Sequence, residues 1–104
     1  MFLVLWEFDV KRGNEQCFES VYGPAGDWAQ LFRRDPHYQK TRLLHDVSRP
    51  QTYLALDIWE SRESYAKFKS QNQEAYSALD KTCEALTVAE RFLGSFEQPA
   101  ELHK

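Results

Sequence analysis

Cysteine is scarce in this chain of 104 residues, and its two occurrences, Cys17 and Cys83, are too few and too far apart for a disulfide framework or a zinc site. Both fall among helical apolar positions, so two reduced, packed thiols are expected. A dominant charge is lacking too: 13 basic residues face 16 acidic ones, the net charge is −3, and no basic stripe invites nucleic acid. Long apolar runs are absent. The N-terminus is Met-Phe-Leu-Val-Leu-Trp-Glu-Phe-Asp-Val, where Glu7 and Asp9 interrupt the run early and no basic leader precedes it. A signal peptide or membrane span is therefore not expected in this run, and the cytoplasm is the expected compartment. The four glycines are isolated turn markers, so there is no phosphate-binding loop. No Ser or Cys has a recognisable elbow or partner base, which leaves acyl transfer without support. Asp57, Glu60 and Glu63 point apart and have no His at ligand spacing, so no metal is expected.

Aromatic residues, in contrast, are plentiful at 14%. They supply enough large apolar surface for one domain with its own core. The central pattern is Tyr53 to Phe68. Leu54, Leu56 and Ile58 alternate with Tyr53, Ala55, Asp57 and Trp59, the period of a strand with apolar groups on both faces. The period then changes: Ser61 can cap a helix, Glu63 suits its first turn, and Tyr65 and Phe68 share one side.

Taken from the start, Phe2 to Val10 alternates as a first strand. Asn14 is the expected cap of a short helix carrying Cys17, Phe18, Val21 and Tyr22, which Gly23-Pro24 stops. Asp27 is the expected cap of a second helix with Trp28, Leu31 and Phe32 on one side. Tyr38 to Val47 reads as a strand with Thr41, Leu43, His45 and Val47 on one face, joined by Ser48-Arg49-Pro50-Gln51 to the central strand. Beyond Phe68, the polar run Lys69 to Gln73 is a break or an exposed turn before an amphipathic helix marked by Ala75, Tyr76, Leu79 and Cys83. Leu86 to Phe96 is the last strand, alternating without interruption, and Gln98 to Lys104 is a patternless tail.

Two βα units around a hairpin form the ferredoxin-like split βαβ plan, an α+β fold with a four-stranded antiparallel sheet and all helices on one face. The domain is expected over residues 1–97, with 98–104 as a flexible tail. A sheet face left to water should be polar, yet these strands carry large apolar groups on both sides. A second copy packed face to face is the expected cover, giving a homodimeric barrel.

Several stretches resemble one known family. They are Tyr22-Gly-Pro, Trp28-Ala-Gln-Leu-Phe-Arg-Arg, Trp59-Glu-Ser with Tyr65 and Phe68 beyond it, Leu79-Asp, Cys83-Glu, Leu86-Thr and Leu93-Gly-Ser-Phe96. Over residues 2–97 the chain is similar to the antibiotic biosynthesis monooxygenase domain of the dimeric α/β-barrel superfamily. That resemblance implies a cofactor-independent monooxygenase acting on a small aromatic, quinol or polyketide-like molecule. The alternative is a non-catalytic ligand-binding or structural dimer on the same fold. Trp59 resembles the pocket-lining strand Trp of the family, and Tyr65 stands where its phenol-oxidising branch also has a Tyr. The haem-degrading branch implies a strand Asn and a helical His. Here Trp6 and Glu7 stand near the Asn position, and Lys69-Ser70-Gln71 follows Trp59 with no His, so iron has no axial ligand.

Among the residues themselves, His45 is the histidine in regular structure, and an ordinary imidazole suits a base that deprotonates a phenol. His45 and Tyr65 are the candidate catalytic residues; Trp59, Trp6 and Tyr76 are the candidate substrate-binding ones. Trp28 and Phe32 are expected to pack the helix layer. No cofactor is expected.

Overall fold

The structure, a computed structural model, describes residues 1–99. The chain runs β1 (Phe2–Val10), α1 (Glu15–Tyr22), α2 (Asp27–Phe32), β2 (Tyr38–His45), β3 (Thr52–Trp59), α3 (Arg62–Gln71), α4 (Gln73–Cys83), a 3-10 turn (Glu84–Leu86) and β4 (Thr87–Glu97). The sheet order is β2-β3-β1-β4, with every neighbouring pair antiparallel. This is the ferredoxin-like α+β plan. The tail expected from Gln98 onward, and His103 with it, lies largely outside the described residues.

Strand register decides which side chains meet the helices. Opposite Phe2, Val4, Trp6 and Phe8 of β1 stand Trp59, Asp57, Ala55 and Tyr53 of β3. Opposite Trp59, Asp57, Ala55 and Tyr53 stand Tyr38, Thr41, Leu43 and His45 of β2. These positions form one face, and its members Phe2, Val4, Phe8, Val10, Tyr53, Ala55 and Trp59 are buried with Phe18, Tyr22, Trp28, Phe32 and Phe68 from the helices. Aromatic rings interlock through this layer. Phe18 stacks on Tyr22 at 4.3 Å, and Phe32 meets Phe68 edge-on at 5.5 Å.

The opposite face is divided. One part carries Leu3, Leu5, Leu54, Leu56 and Ile58, with Leu44 and Phe96 about half exposed beside them. The other is an ion-pair network. Arg91 reaches Glu7 at 2.8 Å and Asp9 at 2.9 Å, while Arg49 reaches Glu7 at 3.1 Å and Asp46 at 2.9 Å.

Helix starts depart from expectation in two places. Asn14 occupies the cap position of α1, but its side chain makes no capping bond and Nδ2 instead donates to the Ala85 carbonyl at 3.4 Å. Gly26, not Asp27, caps α2, and Asp27 is its first helical residue. Space explains this choice. A Cβ at Gly26 would lie 2.3 Å from the Val21 carbonyl oxygen and 2.4 Å from that of Ser20, so a side chain cannot stand there. Ser61 does cap α3, in a reciprocal box with Ser64. The polar run after Phe68 resolves into the end of α3 and a break at Asn72.

The simple alternation expected through β4 fails at Leu93. Gly94 lies opposite Leu5 but Phe92 opposite Trp6, which leaves Leu93 as the extra residue of a bulge. Gly94 has φ 144°, a conformation side chains resist, and the Phe96 ring lies over it. Cys83 is buried as expected, whereas Cys17 is exposed: it lies on the solvent side of α1, next to the fully buried Phe18. No helix of the described residues is long and apolar enough to cross a membrane.

Candidate functional site

A small cavity, with about 50 Å³ of room for the centres of water-sized molecules and open to solvent on one side, lies between the helix-facing side of the sheet and the helices. The sheet contributes Trp6, Phe8, Ala55, Asp57 and Glu90, and the helices contribute Tyr22, Trp28, Phe32, Tyr76 and Asp80. Its walls are therefore aromatic and its polar side chains are mainly carboxylates.

Asp57 is the group with chemical leverage. It sits mid-strand on the inward face, and burial pushes its carboxyl from the ordinary 3.8 up to about 6, against the opposing pull of a hydrogen bond from Thr41. The Thr41 hydroxyl donates to Asp57 Oδ1 at 2.7 Å, directly across the β2–β3 pair. With that proton committed, the Tyr38 hydroxyl 2.6 Å away is the donor to Thr41. The carboxylate is thus held by a two-step hydrogen-bond chain and is poised to exchange a proton near neutral pH.

Two phenols belong to the same surroundings. Tyr65 of α3 and Tyr76 of α4 are close enough to influence each other's ionisation, and both feel the Asp57 charge. Burial is the main reason that both are pushed upward, Tyr76 to about 12, so each stays a protonated donor at neutral pH. Lys69 Nζ lies 4.7 Å from the Tyr76 ring centroid and 5.7 Å from that of Tyr65. Trp28 meets Tyr76 edge-on at 5.0 Å, and its buried Nε1 has no hydrogen-bond partner among the described residues.

The expected site residues fall into three groups. Trp6 and Tyr76 line the cavity. Tyr65 lies behind Tyr76, with its ring 5.4 Å from that of Trp59 and 5.6 Å from that of Phe2. Trp59 is 0% exposed, enclosed by Phe32, Tyr38, Tyr65 and Phe68 at 5.0–5.5 Å, and does not line the cavity. His45 is exposed at the end of β2. Its ring stacks on Tyr53 at 4.3 Å, and its Nε2 donates to the Pro50 carbonyl at 2.6 Å. Trp28 and Phe32 do more than pack the helix layer, since both form cavity wall.

Asp57 is the site residue that a reading against metal geometry alone misses. Its signal is present in the chain: an acid in phase with Tyr53, Ala55 and Trp59 must point inward with them. No group of three or more His, Cys, Asp or Glu side chains among the described residues could hold a metal ion.

The family profile described as antibiotic biosynthesis monooxygenase matches residues 1–78. The chain belongs to that family. Among solved structures, this family member is similar to a point mutant of SnoaB, a cofactor-independent oxygenase from Streptomyces nogalater. The TM-score is 0.77 at 20% identity, covering 99% of this chain and 97% of that one. A Deinococcus radiodurans protein described as an antibiotic biosynthesis monooxygenase gives 0.76 at 10% identity, covering 100% and 98%. PA3566 from Pseudomonas aeruginosa gives 0.66 at 13% identity, covering 95% and 94%. At these identities the likeness is one of fold. A search of curated proteins finds no match.

Proposed function

We propose that this protein is a cofactor-independent monooxygenase for a small aromatic substrate of the phenol, quinol or polyketide type. The carrying observation is Asp57, a carboxylate raised to about 6 within an aromatic cavity. At neutral pH most of it is ionised, and proton removal from a bound phenol or activated C–H group leaves an electron-rich anion. The anion passes one electron to O2, and the resulting radical pair recombines with a new C–O bond. Loss of water from the hydroperoxide then turns a CH2 group into C=O. One oxygen stays on carbon, the other leaves in water, and the substrate supplies all four electrons.

In this reading Trp6, Tyr76, Trp28 and Phe32 hold the ring. Tyr76 acts as a neutral donor beside the developing charge with Tyr65 behind it, and Trp59 is the rigid backing that fixes Phe32 and Tyr65. The test is oxygen consumption after anaerobic loading with anthrone-like phenols, whose CH2 group the step oxidises. Enzyme-dependent uptake matched to quinone formation, lost in Asp57→Asn, is the expected result. Saturable binding with no uptake above the uncatalysed rate would leave a ligand-binding dimer instead.

We also infer that a second copy covers the apolar part of the outer sheet face, where Leu3, Leu5, Leu54, Leu56, Leu44 and Phe96 lie together. The adjoining band of Glu7, Asp9, Arg49 and Arg91 would fix its orientation. Sedimentation should return a dimer at micromolar concentration and a monomer for Leu56→Asp. Unpaired thiols at Cys17 and Cys83 suit a reducing compartment such as the cytoplasm.

A further inference from the structure

Phe92 is a large apolar side chain left 55% exposed on the helix side of the sheet. It stands directly opposite Trp6 across the β1–β4 pair, and the two rings meet at 5.3 Å with 57° between their planes. Glu90, on the same face of β4, lines the cavity together with Trp6, so Phe92 borders the cavity on its β4 side. β4 is an edge of the sheet, and among the described residues the ring that Phe92 meets is that of Trp6.

The chain makes a local detour to put this ring there. Phe92 and Phe96 lie four residues apart, and an unbroken strand would point both the same way. The bulge at Leu93 splits them. Phe96 stands opposite Leu3 on the outer apolar face, and Phe92 opposite Trp6 on the inner one. The inferred second copy covers Phe96 and leaves Phe92 on the other side of the sheet. A symmetric contact centred on Phe92 would also bring Asp80 and Glu90 of two copies together, a like-charge approach.

Size points to the occupant. The cavity has room for only a few waters, so it encloses one ring of a larger molecule. In an anthrone-type substrate the CH2 group is flanked by fused rings, and with that group held toward Asp57 a flanking ring has to leave the cavity. On the β4 side, where Trp6 is half-buried and Glu90 exposed, the next apolar surface is Phe92.

We propose that Phe92 is a specificity-determining residue, forming with Trp6 an aromatic ledge that holds the ring a fused-ring substrate leaves outside the cavity. The assignment rests on the oxygenase reading for the direction of the substrate. At the tilt of the pair, a third ring lies flat on one member and meets the edge of the other. Both rings are already in place, so little ordering opposes the contact. Single-ring phenols end inside the cavity and do not reach the ledge.

The experiment is anaerobic calorimetric titration with neutral aromatics of one, two and three rings: phenol, 1-naphthol and 1,8-dihydroxyanthrone. Phe92→Ala should weaken the anthrone roughly tenfold, the worth of one lost ring contact, and phenol by less than about twofold, with 1-naphthol between them. Phe92→Tyr keeps the ring and should bind all three as the native chain does. Sedimentation should return the same species for the native chain and Phe92→Ala. Should Phe92→Ala not fold, Phe92→Leu keeps apolar bulk without the ring face and gives a smaller loss graded the same way. An equal loss for all three ligands, no loss, a loss shared by Phe92→Tyr, or no binding by any of them overturns the proposal. A Phe92→Ala chain that dissociates assigns the ring to contact between copies, which overturns it as well. Admitting oxygen separates the two ideas. Enzyme-dependent uptake with anthrone affinity unchanged in Phe92→Ala removes only the ledge, whereas a graded loss of affinity without uptake removes only the oxygenase.

Discussion

Asp57 and Trp59 stand two residues apart on one face of β3, yet they occupy different kinds of space. Around Trp59 the rings of Phe32, Tyr38, Tyr65 and Phe68 close completely. Around Asp57 the helices stand off, and Trp6, Phe32 and Tyr76 border a cavity instead. The difference follows from what α2, α3 and α4 lay against the sheet. Phe32 and Phe68 fill the end nearest Trp59, while Trp28 and Tyr76 meet each other edge-on and leave the middle open. A strand's alternation thus tells which side chains point inward, and the helices decide which of them are scaffold and which are site.

The sharpest way to break this comparison is to treat the two residues alike. Trp59→Ala removes a fully enclosed indole and should cost about 3–5 kcal/mol of stability, read as a lower urea midpoint with an unchanged slope. A loss under about 1 kcal/mol would mean that Trp59 is not scaffold.

Asp57→Asn should do the opposite. Activity should fall by roughly 10²–10⁴-fold, the usual worth of a placed base, while stability at pH 7 holds or rises. The linkage sets the sign. Because the folded carboxyl titrates near 6 against an ordinary 3.8, the folded chain holds the proton more tightly than the unfolded chain. The favourable contribution of this group is therefore full below about pH 4 and is lost as pH rises through about 6, a change of roughly 1–3 kcal/mol. Denaturation midpoints across that window should slope downward in the native chain and flatten in Asp57→Asn. Activity should move the other way, rising through about 6 as the base ionises.

Thr41→Val probes the link between scaffold and site. Valine keeps the shape but removes the donor that lowers the Asp57 carboxyl, so the rising limb of the activity profile should move upward by about one pH unit. Stability should drop by about 1 kcal/mol, because the Tyr38 hydroxyl loses its acceptor. An unshifted profile would separate Thr41 from the proton chemistry.

Much of this is legible in the chain before any coordinates. The strands, the split βαβ plan and the two-faced apolar sheet all follow from periodicity, since pattern and register reinforce each other from β1 to β3. Local punctuation is harder. Gly26 displaces Asp27 as a cap because carbonyls at the end of α1 crowd that position, a contact no local rule contains. The β4 bulge at Leu93 needs the partner strand to define it. The site is legible only in part. Trp6 and Tyr76 stand out as ring-bearing residues, and they do line the cavity. Asp57 does not, because an acid in a strand invites comparison with metal geometry rather than with the face it shares.

His45 gives the smallest expected effect and the cleanest contrast with Asp57. Both lie on the inward side of the sheet, and the histidine has the more familiar chemistry for a base. Position decides otherwise. The imidazole is exposed at the strand end and stacks on Tyr53 with 3° between the planes. Its Nε2 carries the proton donated to the Pro50 carbonyl, so that nitrogen has no lone pair to offer a substrate. His45→Ala should accordingly change kcat/KM by less than about twofold, equivalent to under about 0.4 kcal/mol, and cost no more than about 1 kcal/mol of stability. A hundredfold loss of activity with an unchanged melting temperature would move the base to His45. It would also take the proton chemistry away from the Asp57 cavity, which His45 does not line.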